Sequence, residues 1–116
     1  MLLDSDRTRL FHMLEAAREA VGYVQGRNRV DLDGNRPLQH CIVRCIEIIG
    51  EAASRITPEF KLAHPEIPWR LPVAMRNRLV HVYFDINLDI LWQTAEAELP
   101  TLIKKIEPLL TGGENT

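Results

Sequence analysis

Within the run Met75-Arg76-Asn77-Arg78-Leu79-Val80-His81-Val82-Tyr83-Phe84, a guanidinium and an imidazole stand five residues apart. A guanidinium can donate two parallel hydrogen bonds to a phosphate and stabilise the charge that gathers on it in a transition state. An imidazole that titrates near neutrality can take a proton from a ribose 2′-hydroxyl or hand one to a leaving 5′-oxygen. Asn77 lies one helical turn before His81 and can orient its ring by a hydrogen bond. Arg76 and His81 are therefore the candidate catalytic pair for breaking an RNA phosphodiester, with Asn77 in support. Arg78 suits either a phosphate contact or a surface ion pair. The reaction calls for no metal or other cofactor, and the chain lacks the carboxylate cluster of a two-metal nuclease.

Helical geometry adds a condition. On an ideal helix, Arg76 and His81 point about 140° apart, so they meet at one phosphate only at a helix end, at a distortion, or across two chains. Met75, Leu79 and Val82 share the stripe expected to face a core. Arg76, Val80 and Tyr83 line one shoulder, and Asn77, His81 and Phe84 lie opposite the core. Polar groups interleaved with Val80 and Phe84 suit a surface that meets a second protomer or a ligand. A two-fold homodimer would bring the same helix from a second copy, closing a shared cleft with two arginines and two histidines. It would also supply an acid and a base at once, which a single histidine cannot.

Other clusters have plainer readings. Cys41 and Cys45 lie one turn apart beside His40. Two thiols still need two more ligands to hold zinc, and His12 and His64 are not obviously placed to help, so both cysteines are expected as small core residues. Glu47 and Glu51 have Arg44 and Arg55 at pairing distance and read as an ion-pair ladder. Trp69 and Trp92 are expected to anchor the bundle or an interface.

The elements that must carry these residues read as helices. A first helix is expected over about 6–25, capped by Asp4 or Asp6, with Leu10, Leu14, Ala17, Val21 and Val24 at helical spacing. Residues 26–35 are rich in Gly, Asp and Asn and read as a loop. A second helix starts near Asp33 or Asn35, has Pro37 in its first turn, and runs to about Ile56. Its apolar stripe (Leu38, Cys41, Ile42, Cys45, Ile46, Ile49 and Ala53) is wide enough to need covering on two sides. Gly50, Ala52, Ala53 and Ser54 form a small-residue patch where another helix can approach. Thr57-Pro58-Glu59 opens a short helix that Pro65 stops. The next helix, from Pro68 or Leu71 to Tyr83, carries the chemistry. Asn87 then caps a last helix reaching Leu110, with a kink expected at Pro100. The class is all-α: an up-and-down bundle of four longer helices and one short one, forming a single domain over 1–116 with 111–116 as a flexible tail.

Bulk properties agree with one globular domain. The chain has 116 residues, 46% of them hydrophobic and 26% charged, which argues against disorder. Its net charge of -2 excludes a broad basic coat, so any RNA contact must come from a local arginine cluster. No secretory core or bilayer-length apolar run is evident, and a cytoplasmic protein with no membrane association is expected.

Arg76, His81 and Tyr83 together match the R-x4-H-x-Y signature of the HepT-like branch of HEPN domains. The resemblance extends to Phe11-His12-Met13-Leu14-Glu15-Ala16-Ala17, Glu47-Ile48-Ile49-Gly50-Glu51-Ala52-Ala53, Ile67-Pro68-Trp69-Arg70 and Leu88-Asp89-Ile90-Leu91-Trp92, in order along the whole chain. It implies a helical homodimer, dimerising through helix faces, with ribonuclease activity at the interface. Arg76 and His81 would be the catalytic pair of an endoribonuclease toxin, with transfer RNA the substrate that the resemblance suggests. It also implies a partner, an MNT-type nucleotidyltransferase antitoxin that attaches AMP to the tyrosine corresponding to Tyr83. Two other readings are a catalytically silent HEPN module that binds a nucleotide or such a partner, and a dimeric helical scaffold.

Overall fold

The structure, a computed structural model, describes residues 4–80 and 86–112. Among these there are helices and no strands: α1 (Asp4–Val24), α2 (Arg36–Ser54), α3 (Pro58–Ala63), α4 (Arg70–Val80), α5 (Leu88–Gln93) and α6 (Leu99–Gly112), plus a 3-10 turn at Arg29–Leu32. A π-helical segment, Thr94–Glu98, joins α5 to α6 in one continuous rod. With that rod counted once, the architecture is the expected bundle of four longer helices and a short one. Helix α6 reaches Gly112, two residues into the segment expected as a tail.

Helix α1 buries Leu10, Met13, Leu14, Ala17, Ala20 and Val24 at spacings of three and four, while Val21 is half-buried. This face packs on α2 and α6. Gly26 ends the run with φ at 77°, a left-handed conformation that costs glycine little, while the Arg27 amide donates back to the Val24 carbonyl at 3.0 Å. Asp6 does not cap α1, as the sequence suggested. It sits inside the helix at 2% exposure, and both carboxylate oxygens serve Thr57: one accepts from its amide at 3.0 Å, the other from its hydroxyl at 2.7 Å. A buried carboxylate is tolerated when its oxygens are satisfied in this way. It ties the start of α1 to the junction of α2 and α3.

The stretch expected as plain loop contains the 3-10 turn, and Leu32 within it is fully buried. Gln39 donates to the Leu32 carbonyl at 2.7 Å, and Arg29 bridges Asp33 at 2.9 Å and Asp89 at 2.7 Å. Those contacts pin the turn to α2 and to the start of α5.

Helix α2 begins as expected. The Asn35 side chain accepts from the Leu38 amide, and Pro37 occupies the first turn, where its missing N–H costs nothing. Leu38, Ile42, Cys45, Ile46, Ile49 and Ala53 are buried, with α1 packed on one side and α4 on the other. Cys41 departs from the expected stripe and is exposed.

Thr57 caps α3 by accepting from the Phe60 amide at 3.3 Å. Past Pro65, Ile67 is buried, and the Trp69 indole donates to the His64 carbonyl at 2.9 Å. Phe60 meets Trp69 edge-on, with centroids 5.9 Å apart. Trp69 thus anchors the connector that aims the chain into α4.

Asn87 caps α5, accepting from the Asp89 and Ile90 amides at 3.1 Å each. The irregularity expected at Pro100 lies just ahead of it. Pro100 has no N–H to donate, and its ring crowds the carbonyl four residues back. The helix widens there instead, so that the Leu99 amide reaches the Thr94 carbonyl, five residues back. Buried Thr94 returns its hydroxyl to the Ile90 carbonyl at 2.7 Å. Among the described residues no helix is long and apolar enough to cross a membrane.

Candidate functional site

Helix α4 carries the described part of the site. Pro72, its third residue, is buried in the first turn, where a missing backbone donor is harmless. Met75 points into the core at 1% exposure. Arg76 is half-buried on the shoulder, and Asn77 and Arg78 are exposed, in the arrangement the helical wheel assigns them. His81 and Tyr83, expected as the catalytic base and the modified residue, lie outside the described residues, as do Val82 and Phe84 of the same run.

The position of Arg76 follows from one residue on α2. A Cβ placed on Gly50 would lie 3.0 Å from the Arg76 Cβ, 3.0 Å from the Pro72 carbonyl oxygen and 3.2 Å from the Arg76 Cδ. The two helices therefore cross where α2 has no side chain, and the aliphatic stem of Arg76 lies directly over the glycine. Beyond that stem, the guanidinium makes no hydrogen bond or ion pair among the described residues. A cation held by its stem and left without an internal partner keeps its donors available for an outside anion.

Arg78 stands differently. It donates to Glu98 at 3.2 Å, across to the π-helical segment, and so forms the ion pair that was one of its two sequence readings. The Glu47–Glu51 ladder forms in part, with Arg55 bonded to Glu51 at 3.1 Å.

Cys45 donates its thiol to Glu19 at 3.2 Å. Burial pushes that thiol up to about 12, and the hydrogen bond to Glu19 and its negative charge act in the same direction. The same Glu19 charge is the main cause raising the Tyr23 phenol above its ordinary value. A thiol held protonated in this way is neither a nucleophile nor a ready metal ligand at neutral pH. Among the described residues no three His, Cys, Asp or Glu side chains gather where they could hold a metal ion.

Sequence reading located the small patch at Gly50 but not the side chain that lies over it. It missed Asp6 as a long-range clamp and Glu19 as the acceptor for Cys45. None of these pairings has a local signature, because each joins residues on different helices.

The family described as "Ribonuclease HepT-like" matches residues 13–109, a span that includes Gly50, Arg76 and the sequence positions of His81 and Tyr83. This chain belongs to the HepT-like family. The HepT-like chain is 43% identical over 75 residues to a Thermococcus cleftensis protein named "Probable ribonuclease HepT", a match covering 65% of this chain and 68% of that protein. It is 33% identical over 108 residues to a Caldanaerobacter subterraneus subsp. tengcongensis protein named "Putative RNase TTE0752", covering 93% of this chain and 96% of the relative. No solved structure matches the HepT-like chain.

Proposed function

We propose that this chain is a metal-independent endoribonuclease, the toxin of a HepT/MNT-type pair, cutting RNA at a composite Arg76/His81 site between two copies of itself. The observation that carries the proposal is the Arg76 guanidinium, laid across α2 by its stem and unpaired among the described residues, in a chain of the HepT-like family. In this reading Arg76 binds the non-bridging oxygens of the scissile phosphate and stabilises the added charge of the transition state. His81 takes the proton of the 2′-hydroxyl as its oxygen attacks phosphorus. The P–O5′ bond breaks, and the same histidine of a second copy protonates the departing 5′-oxygen. The products are a 2′,3′-cyclic phosphate and a free 5′-hydroxyl. Asn77 orients the imidazole from one turn earlier.

Control is assigned to a nucleotidyltransferase antitoxin that transfers AMP to Tyr83, with or without a lasting complex. Each added AMP places bulk and negative charge near Arg76, which blocks the cleft and repels RNA phosphate.

The test is incubation of the purified chain with total RNA in EDTA, beside Arg76→Ala and His81→Ala. Cleavage by the wild type alone, leaving cyclic phosphate ends, is the expected result. No cleavage by the wild type, accompanied by tight binding of a nucleotide or a nucleotidyltransferase, would replace the proposal with a silent binding module. Loss of folding in His81→Ala would make that histidine structural. Co-expression with a nucleotidyltransferase of this type should raise the mass of Tyr83-containing peptides by whole multiples of AMP. An unmodified tyrosine in a fully inhibited complex would remove AMP transfer from the scheme.

A further inference from the structure

We infer that Gly50 is a positioning residue for the Arg76 guanidinium, and that the absence of a side chain at Gly50 sets the direction in which this cation leaves α4. The inference rests on the reading of Arg76 as the phosphate-binding cation. Three atoms of α4 crowd the space a Cβ would fill at Gly50, and they belong to two residues one turn apart. Two of them, the Arg76 Cβ and the Pro72 carbonyl oxygen, lie at 3.0 Å and are fixed by the helix itself, so neither can yield alone. The third, the Arg76 Cδ at 3.2 Å, shows that the stem runs along α2 instead of outward into solvent.

A methyl group at Gly50 therefore forces α4 outward by a few tenths of an ångström and lifts the Arg76 stem from its bed. The cost should appear at the guanidinium more than in the fold. Glycine within a helix is intrinsically unfavourable relative to alanine, so the improved helix propensity of α2 offsets much of the lost packing. Buried Cys45 and Ala52, about half a turn around α2 from Gly50, keep their places. A displaced phosphate ligand lowers the rate of the chemical step by about tenfold when the shift is a fraction of an ångström.

The experiment compares wild type with Gly50→Ala in RNA cleavage, thermal melting and the guanidinium Nε–H spectrum of arginine, in which the Arg76 signal is assigned by its loss in Arg76→Ala. The expected result is a kcat reduced about tenfold with KM nearly unchanged, a melting temperature close to wild type, and a moved or broadened Arg76 Nε–H signal. An unchanged kcat and an unchanged signal would overturn the inference. So would a fall in melting temperature with kcat preserved, because that describes a purely structural glycine. If the wild type does not cut RNA, the ribonuclease reading fails by itself, and the placement of Arg76 is judged on its signal: movement in Gly50→Ala supports it, and an unmoved signal overturns it. Should Gly50→Ala fail to fold, wild-type relaxation decides. A stem pinned on α2 makes the Arg76 Nε–H more ordered than that of Arg70, an exposed arginine on the same helix, and equal mobility of the two would overturn the inference.

Discussion

Asp6 and Arg76 are both charged side chains drawn into a helical bundle, and they are treated in opposite ways. Asp6 is almost wholly buried, and each of its oxygens accepts a hydrogen bond from Thr57. Arg76 is half-buried along its stem, and its guanidinium has no partner among the described residues. The first arrangement resolves a charge inside the molecule and locks two elements together. The second invests packing in placing a charge and leaves its donors open. A polar group satisfied internally stabilises the fold, whereas one held in position but unsatisfied is available to something outside it.

The widest test of that contrast is Arg76→Ala. If Arg76 stabilises transition-state charge as proposed, its removal should lower RNA cleavage by about a hundred- to a thousandfold. Because no internal partner is lost, the melting temperature should stay within a few degrees. A large loss of stability with activity retained per folded molecule would place Arg76 with Asp6 after all. Ile42→Ala probes α2 two turns before Gly50. Ile42 is fully buried, and its truncation should cost about 2–5 kcal/mol in urea unfolding. The fraction still folded should cut RNA at the normal rate. A fall in kcat equal to that of Arg76→Ala would mean that the core and the site are not separable.

Asp6→Ala is the mirror of the first test. It strands the Thr57 amide and hydroxyl and should cost about 1–3 kcal/mol, with no change in kcat. Asp6→Asn keeps one acceptor and should lose less. Equal losses in the two variants would show that the clamp does not depend on its oxygens.

The same contrast explains how much was legible in the sequence. Helix starts were legible, since Asn35 with Leu38, Thr57 with Phe60 and Asn87 with Ile90 are caps whose partner lies three residues on. The apolar stripes of α1 and α2 were legible for a related reason, that period and burial are coupled. The clamp between Asp6 and Thr57 spans 51 residues, and nothing near Asp6 distinguishes it from a cap. Leu32 was hidden inside a stretch whose composition reads as loop, though its carbonyl and side chain are both engaged. Pro100 signalled a disturbance, but the widening falls on Thr94–Glu98, where the chain can re-form its hydrogen bonds before the proline. On α4, the half-buried position of Arg76 and the exposed positions of Asn77 and Arg78 were legible because helical period fixes them. The bed for Arg76 was not, because it is an empty space on another helix.

Arg78 lies between the two extremes and carries the smallest expected effect. It is a cation on α4 like Arg76, yet it is paired with Glu98 at 3.2 Å, with side-chain exposures of 41% and 25%. An ion pair so open to water contributes about 0–1 kcal/mol, so Glu98→Gln should barely move the melting curve. Its effect on RNA is more informative. If Arg78 turns from Glu98 to a phosphate when RNA arrives, removing the competing carboxylate should tighten binding at low salt by at most about fivefold, the size of one exposed charge interaction in water. That gain should vanish as salt screens it. Arg78→Ala should then flatten the dependence of log binding constant on log salt by about 0.7 for single-stranded RNA. Unchanged binding in Glu98→Gln together with an unchanged slope in Arg78→Ala would leave Arg78 as a tie between α4 and the π-helical segment. The open cation of the described site would then be Arg76 alone.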